Sequence, residues 1–324
     1  MSDGHDAVFV EAAARLHFGV LDLRGSLGRW FGGIGASAPG PSLLLSASRS
    51  DDVGVSGAEV ARTLDAAMRV VDHFGLDGAH VHVHRALPPH AGLGSGTQLA
   101  LAVGRAIAAL HDIDADAPTL ARIVGRTRRS AIGTWTFDGG GLVLEGGRKR
   151  EGDSSAPLLA RIPFPADWRC VVAVPDASPG ISGAQEAVAF AELPVPSEGD
   201  VERVAHLVLM ALLPAVAEGD LITFGGALTE IQRITGDWFA AAQGGTYAPG
   251  PGAELIARMS EWGAAGVGQS SWGPAVYGIV GTPDAGARLA DRVRDSLGGA
   301  GLVFEGPFQT TGARVWRAPA EASR

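Results

Sequence analysis

The chain has 324 residues, 46% hydrophobic and 19% charged, with a formal net charge of −9. This composition excludes a disordered chain, and an acidic balance without a basic stripe excludes nucleic acid as a partner, since nothing would supply counterion release. One cysteine cannot close an internal disulfide, no apolar run reaches the ~18 residues of a membrane span, and the acidic N-terminus carries no signal-peptide pattern, so a cytoplasmic protein of one large or two medium domains, without membrane association, is the expectation.

Residues 8–23 and 42–49 read as strands. The first carries Ala14-Arg15-Leu16-His17-Phe18-Gly19-Val20-Leu21-Asp22-Leu23, and Gly28-Arg29-Trp30-Phe31-Gly32-Gly33-Ile34-Gly35 follows it. Val60, Leu64, Ala67, Val71 and Phe74 recur at helical spacing. His80-Val81-His82-Val83-His84 predicts another strand. Its histidines alternate as a metal array could, but no carboxylate or cysteine follows at ligand spacing, which favours a polar face opposite Val81 and Val83.

The next stretch, Pro88-Pro89-His90-Ala91-Gly92-Leu93-Gly94-Ser95-Gly96-Thr97-Gln98, joins that strand to a helix marked by Leu99, Val103, Ile107 and Leu110. Glycine permits positive φ and close backbone approach, and a helix opening at about Ser95 would point free N–H groups and its dipole at the loop. Such an end binds phosphate. A plain strand-to-helix turn needs only one of the three glycines. The loop is neither a Walker loop, lacking lysine, nor a dinucleotide fingerprint, lacking the third small residue in register.

Farther on come Gly125-Arg126-x-x-Arg129-Ser130-x-Ile132-Gly133-Thr134 and Gly139-Gly140-Gly141. Arg126 and Arg129, at i and i+3, could share a helix face, with an ion-paired surface as the plainer account. Arg148-Lys149-Arg150 reads as a solvated hairpin tip and holds the chain's one lysine. Prolines at 163 and 165 precede an apolar strand from Cys170 to Val174, which sets a boundary between residues 1–164 and 165–324. Leu221, Phe224, Leu228, Ile231 and Trp238 mark a long helix, and Gly266-Val267-Gly268-Gln269-Ser270-Ser271-Trp272-Gly273-Pro274 lies beyond it. Strands and helices do not alternate as in a doubly wound sheet, so the fold class is α+β.

The glycine loop resembles the Pro-x-x-x-Gly-Leu-Gly-Ser loop of the GHMP superfamily of small-molecule kinases. Together with the motifs at 14–23, 28–35, 125–141 and 266–278, the chain resembles the β-ribofuranosylaminobenzene 5′-phosphate synthase family of methanopterin biosynthesis. The Gln-Ser-Ser-Trp-Gly-Pro stretch is the most specific element. The resemblance implies an N-terminal domain like ribosomal protein S5 domain 2, a ferredoxin-like C-terminal domain, and the glycine loop in the cleft between them. It leaves the oligomeric state open, a homodimer included.

The reaction so implied joins phosphoribosyl pyrophosphate to 4-aminobenzoate with loss of pyrophosphate and carbon dioxide. 4-Hydroxybenzoate would activate its ring carbon in the same way, and sequence does not choose between them. The site then needs anion stabilisation, a rigid aromatic slot and exclusion of water. Preorganised donors on a developing anion are worth about 3–4 kcal/mol each. Backbone groups of Gly92, Leu93, Gly94, Ser95, Gly96 and Thr97 could serve the diphosphate, with Mg2+ sharing the load. Asp22 is the candidate metal ligand or orienter, a strand-end surface carboxylate being the alternative.

Arg15, Arg29, Arg126 and Arg129 are candidate forks for phosphate. His17 or His90 could protonate the departing pyrophosphate; a hydrogen-bonded structural role is the alternative for each. Trp30, Phe31, Trp135 and Trp272 are candidate slot walls, against simple core packing. Gln269, Ser270 and Ser271 could bind the polar edges of the aromatic acid. Two other functions fit the same motifs. An ATP-dependent kinase is opposed by the absence of lysine from the N-terminal motif, and a non-catalytic sensor would bind diphosphate without turnover.

Overall fold

The computed structural model describes residues 6–127, 130–152, 155–178, 180–181 and 183–319. Two long strands open the first domain: β1 (Asp6–Asp22) and β2 (Arg29–Ser48). Val8, Val10, Ala12, Ala14, Leu16 and Phe18 alternate inward along β1 and are almost wholly buried, the period of two expected of a strand with one face on a core. β3 (Val53–Gly57), α1 (Val60–Phe74) and β4 (Ala79–Arg85) form a parallel β-α-β unit. α2 (Ser95–Leu110) follows the glycine loop. It is apolar nearly all round and runs through the centre of the domain against β1, β2 and α1.

α3 (Ala117–Ile123), α4 (Ile132–Gly139), β5 (Leu142–Glu145), β6 (Arg148–Lys149) and β7 (Leu158–Ile162) complete this domain. β2 serves two neighbours in turn: residues 33–36 pair with β5, and residues 44–48 with β4. β1 approaches closely at Gly35, where an added Cβ would lie 2.4 Å from the Leu16 carbonyl oxygen, so the position admits only glycine.

The second domain holds β8 (Arg169–Pro175), α5 (Gly183–Glu192) and α6 (Glu198–Leu207). A π-helical turn (Val208–Leu212) leads into α7 (Leu213–Glu218) and α8 (Leu221–Gln243). Then come α9 (Pro251–Glu261), β9 (Gly266–Gln269), β10 (Val276–Val280), α10 (Pro283–Leu297) and β11 (Gly301–Gly306). The four strands lie in the antiparallel order β11-β8-β10-β9, that of a ferredoxin-like sheet. β8 is buried on both faces: Cys170, Val172 and Val174 join the large core, and Val171 and Ala173 a smaller one under α9 and α10. The sheets change between β7 and β8, but the chain then returns, and β12 (Arg314–Pro319) pairs with β1. No helix among the described residues is long and apolar enough to cross a membrane.

Expectation and structure differ at three places. The strand placed at 42–49 is only the second half of β2, whose first half runs through the Arg29 to Gly35 motif. Arg126 is not on a helix, because α3 ends at Ile123; Arg129 lies outside the described residues. The hairpin tip is not merely solvated, since Arg148 lies 5.7 Å over the Phe31 ring and Arg150 4.5 Å over Trp30.

Candidate functional site

A cavity of about 580 Å³ opens between the domains. One end is cationic and rich in backbone donors; the other is aromatic. At the first end the glycine loop turns into α2. Gly94 is its N-cap at φ 74 and offers no side chain to the first helical N–H groups, which stay available to a ligand.

Arg15 is threaded beneath the loop. Its Nη1 donates to the Gly92 carbonyl at 2.6 Å, and its backbone N–H donates to that of Leu93 at 3.0 Å. Burial draws its pKa down to about 10. The glycines make room for protein as much as for ligand: a Cβ at Gly94 would stand 2.7 Å from Arg15 Cγ, one at Gly96 3.3 Å from Arg126 Nη2, and one at Gly92 2.1 Å from the Ser270 carbonyl oxygen. Ser95, Gly96 and Thr97 line the cavity, whereas the Leu93 side chain is in the core.

Arg126 also lines this end, its pKa lowered by burial and by the neighbouring Arg62. Arg62, on the polar face of α1, is a site residue the sequence did not disclose. It pairs with Glu59 at 3.5 Å, and its Nη2 lies 2.8 Å from His90 Nε2. Guanidinium only donates, so His90 Nε2 accepts and carries no proton while that bond holds. His90 thus orients Arg62 at the cavity wall.

His17 borders the junction of the two ends. Its Nε2 lies 3.1 Å from Ser130 Oγ. Burial, then the charge of Arg15, pushes its pKa down to about 3, so the ring is neutral at neutral pH.

The aromatic end is a box of rings. Phe31 meets Phe190 edge-on at 5.2 Å, Phe190 meets Trp272 at 5.7 Å, and Trp272 meets Phe239 at 4.9 Å. Trp272 Nε1 donates to Glu186 at 3.1 Å. α5 supplies Phe190 and Glu186, and α8 supplies Phe239; none was singled out from sequence. Ser271, held at φ 56, lines the box.

The other two members of that motif are already engaged. Gln269 accepts from Ala248 N at 2.8 Å and donates to Gln243 Oε1 and the Ser271 carbonyl. Ser270 is fully buried; its hydroxyl donates to the Gly92 carbonyl at 2.7 Å and accepts from His17 N at 3.0 Å. It fastens the C-terminal domain to β1 and the glycine loop.

Other expected residues stand away from the cavity. Asp22 accepts from the backbone N–H groups of Arg24 and Gly25 at 2.6 and 2.9 Å, closing the turn after β1. Arg29 donates to the Gly147 carbonyl at 2.9 Å and borders a small hairpin pocket with Lys149 and Arg150. Trp30 lies under Arg150, and Trp135 donates to the Ala156 carbonyl at 2.8 Å. No cluster of three His, Cys, Asp or Glu suited to a metal ion occurs among the described residues.

Residues 60–139 match the GHMP kinases N terminal domain, and residues 212–298 the GHMP kinases C terminal model. Among solved structures, homoserine kinase from Cytophaga hutchinsonii aligns at a TM-score of 0.69 and 17% identity, covering 98% of this chain and 99% of that one. L. major mevalonate kinase, solved with R-mevalonate, aligns at 0.70 and 16% identity, covering 93% and 96%. The fold is therefore the two-domain α+β fold of the GHMP kinases.

Curated relatives narrow the class. The β-ribofuranosylphenol 5′-phosphate synthase of Methanothermobacter thermautotrophicus is 34% identical over 322 residues, 92% of this chain and 96% of that protein. That of Archaeoglobus fulgidus is 38% identical over 281 residues, 82% and 86% of the two chains. The chain belongs to the β-ribofuranosylphenol 5′-phosphate synthase family.

Proposed function

We propose that this protein is a cytoplasmic pentosyltransferase that joins phosphoribosyl pyrophosphate to a para-substituted benzoate, with loss of pyrophosphate and carbon dioxide, in tetrahydromethanopterin biosynthesis. The observation that carries this reading is one cavity with two unlike ends. Arg15, Arg62, Arg126 and the start of α2 converge at one, and Phe31, Phe190, Phe239 and Trp272 form a box at the other.

The C1–O bond breaks and its electron pair stays on pyrophosphate, where arginines and helix N–H groups meet the growing charge. The ring carbon bearing the carboxylate attacks C1. Loss of carbon dioxide restores aromaticity, so no strong base is needed. Water would divert the oxocarbenium-like centre to ribose 5-phosphate, and the aromatic box excludes it. Ser271 is the neutral donor best placed for the acceptor's carboxylate. Gln269 lines the cavity with its amide already engaged, and Ser270 supports the wall from behind.

Motif resemblance points to 4-aminobenzoate as acceptor. The relatives' name speaks of a ribofuranosylphenol, and decarboxylation that leaves a phenol starts from 4-hydroxybenzoate. We therefore put 4-hydroxybenzoate first and 4-aminobenzoate second. The described residues do not fit a resident magnesium site: Asp22 is spent on its turn, and Glu186 is the one carboxylate on the cavity wall, already accepting from Trp272. Mg2+ would enter as part of the diphosphate substrate.

The test is mass spectrometry after incubation with phosphoribosyl pyrophosphate, magnesium and each aromatic acid carrying a labelled carboxylate. The expected result is labelled carbon dioxide and a C-ribosylated ring without ATP. Retention of label on the ring, together with ATP-dependent phosphorylation of a small metabolite, would overturn it in favour of a kinase.

A further inference from the structure

Glu145 ends β5 in the interior, with no exposed surface. A buried carboxyl needs compensation. It accepts from Gly147 N at 2.7 Å and Ala131 N at 3.3 Å. Its Oε1 and the Ser130 hydroxyl stand side by side over Gly33, 3.3 and 3.2 Å from where a Cβ on that glycine would lie, and the hydroxyl favours the ionised carboxyl. Ser130 Oγ lies 3.1 Å from His17 Nε2, and both His17 and Ser130 border the cavity. A buried acid, a hydroxyl beside it and an imidazole hydrogen-bonded to that hydroxyl therefore stand in series, the imidazole facing the reaction space.

Around Glu145 stand Gly33 from β2, Leu158 from β7, Gly147 from the following turn, and Ala131 and Ile132 at the start of α4. The titratable or charged groups on the neighbouring elements are His17, linked through Ser130, with Arg15 beside it on β1, and Arg148 from β6, whose guanidinium is turned over Phe31. No cation pairs with Glu145 among the described residues.

We propose that Glu145, Ser130 and His17 form a proton relay that delivers one proton to the departing pyrophosphate; this rests on the reaction proposed above. The hydroxyl has one proton and sets the direction. With Glu145 protonated, its O–H donates to Ser130 Oγ, the Ser130 hydroxyl donates to His17 Nε2, and His17 presents Nδ1–H to the cavity. With Glu145 ionised, every bond reverses and Nδ1 presents a lone pair. Transfer is concerted: the C1–O electron pair goes to pyrophosphate, which takes the Nδ1 proton. Nε2 takes the Ser130 proton, Ser130 takes the Glu145 proton, and carboxylate remains until water returns the proton. No imidazolium forms beside Arg15, which reconciles an acid role with a histidine whose pKa lies near 3. Burial raises the Glu145 carboxyl to about 7, which suits a proton source at neutral pH. His17 is the catalytic residue of the relay; Ser130 and Glu145 position it and supply its proton.

Two measurements test it. Nitrogen NMR of the ligand-free protein reads the His17 tautomer. Between pH 6 and 8 the proton should move from Nδ1 to Nε2 while the ring stays neutral, and Glu145→Gln should abolish the change. In turnover with phosphoribosyl pyrophosphate and the aromatic acid, kcat should fall above about pH 7, and Glu145→Gln should remove that alkaline limb and lower kcat by about 10²–10⁴-fold. Ser130→Ala, which leaves both backbone bonds to Glu145 in place, should show the same loss. A tautomer that stays fixed over this range, or an alkaline limb that survives both substitutions, would overturn the relay. Absence of any ribosylated product from the native protein, with the tautomer change intact, would instead overturn the proposed reaction and with it the relay's task as an acid.

Discussion

His17 and Glu145 carry opposite shifts, and their sum has a consequence for stability. In the unfolded chain at pH 5.5 the imidazole is charged and the carboxyl ionised, so the pair holds one proton. In the folded protein the imidazole is neutral and the carboxyl protonated, again one proton. Folding moves a proton from histidine to glutamate without changing the count. The lowered His17 pKa alone would make stability present above about 6.5 and lost as pH falls toward about 3. The raised Glu145 pKa alone would make stability present below about 4.5 and lost as pH rises toward about 7. Between about 4.5 and 6.5 the slopes cancel. Glu145→Gln leaves the histidine slope uncompensated, about 1.4 kcal/mol per pH unit for one proton. Removing a titrating group should thus make the protein more sensitive to acid. Urea unfolding at pH 5 and pH 6.5 measures this, and equal pH slopes for the two proteins would refute it. Gly94 yields a second expectation at this scale. At φ 74, with Arg15 Cγ 2.7 Å from the site of a Cβ, Gly94→Ala should lose about 1–2 kcal/mol of stability. It should also displace Arg15 and weaken inorganic pyrophosphate binding. Calorimetry showing unchanged affinity would leave the glycine a purely structural task.

At the scale of elements, the clearest patterns were legible in the chain. β1, α1, α2, α8 and β8 follow apolar periodicities, and the start of α2 at Ser95 follows from its glycines. The first half of β2 was not, because Gly32, Gly33 and Gly35 erase alternation. Nor was α5: its alanine-rich stretch gives no sign that Phe190 closes the aromatic box. Arg62 reads as one more solvent-facing charge on α1, and only the fold turns it into the cavity. Ser130 and Glu145 are ordinary polar residues in sequence, and their link depends on β5 meeting the segment before α4. The Gln269 to Trp272 motif falls on the cavity wall, but which of its side chains are tied up in hydrogen bonds depends on the fold. Trp272 lines the cavity with Ser271 and is packed against α5 and α8. Trp272→Ala should open the box between these elements, slow product formation and raise the ribose 5-phosphate formed per diphosphate consumed. Chromatographic quantitation of both products decides it; an unchanged partition ratio would place water exclusion elsewhere.

Across the whole molecule the domains are not independent bodies joined by a linker. The large core takes residues from both, from Val8 and Leu101 to Phe224 and Tyr277. β12 returns to pair with β1. Three hydrogen bonds from the second domain hold the glycine loop: Gly180 N to the His90 carbonyl, Ala275 N to that of Ala91, and Ser270 Oγ to that of Gly92. A loop anchored this way cannot keep its shape if the C-terminal domain unfolds. Heat should therefore unfold the protein in one cooperative transition, not two, despite its 324 residues. Pyrophosphate, which would touch chiefly the N-terminal half, should then stabilise the whole: by mass action, about 2.7 kcal/mol at a hundredfold excess over Kd. Differential scanning calorimetry with and without pyrophosphate, with hydrogen exchange on β10, reads both effects. Ser270→Ala, which removes one of the three ties, should reduce the protection that pyrophosphate confers on β10. Two separate transitions, with only the first shifted by pyrophosphate, would show instead that the loop keeps its shape without the domain fastened to it.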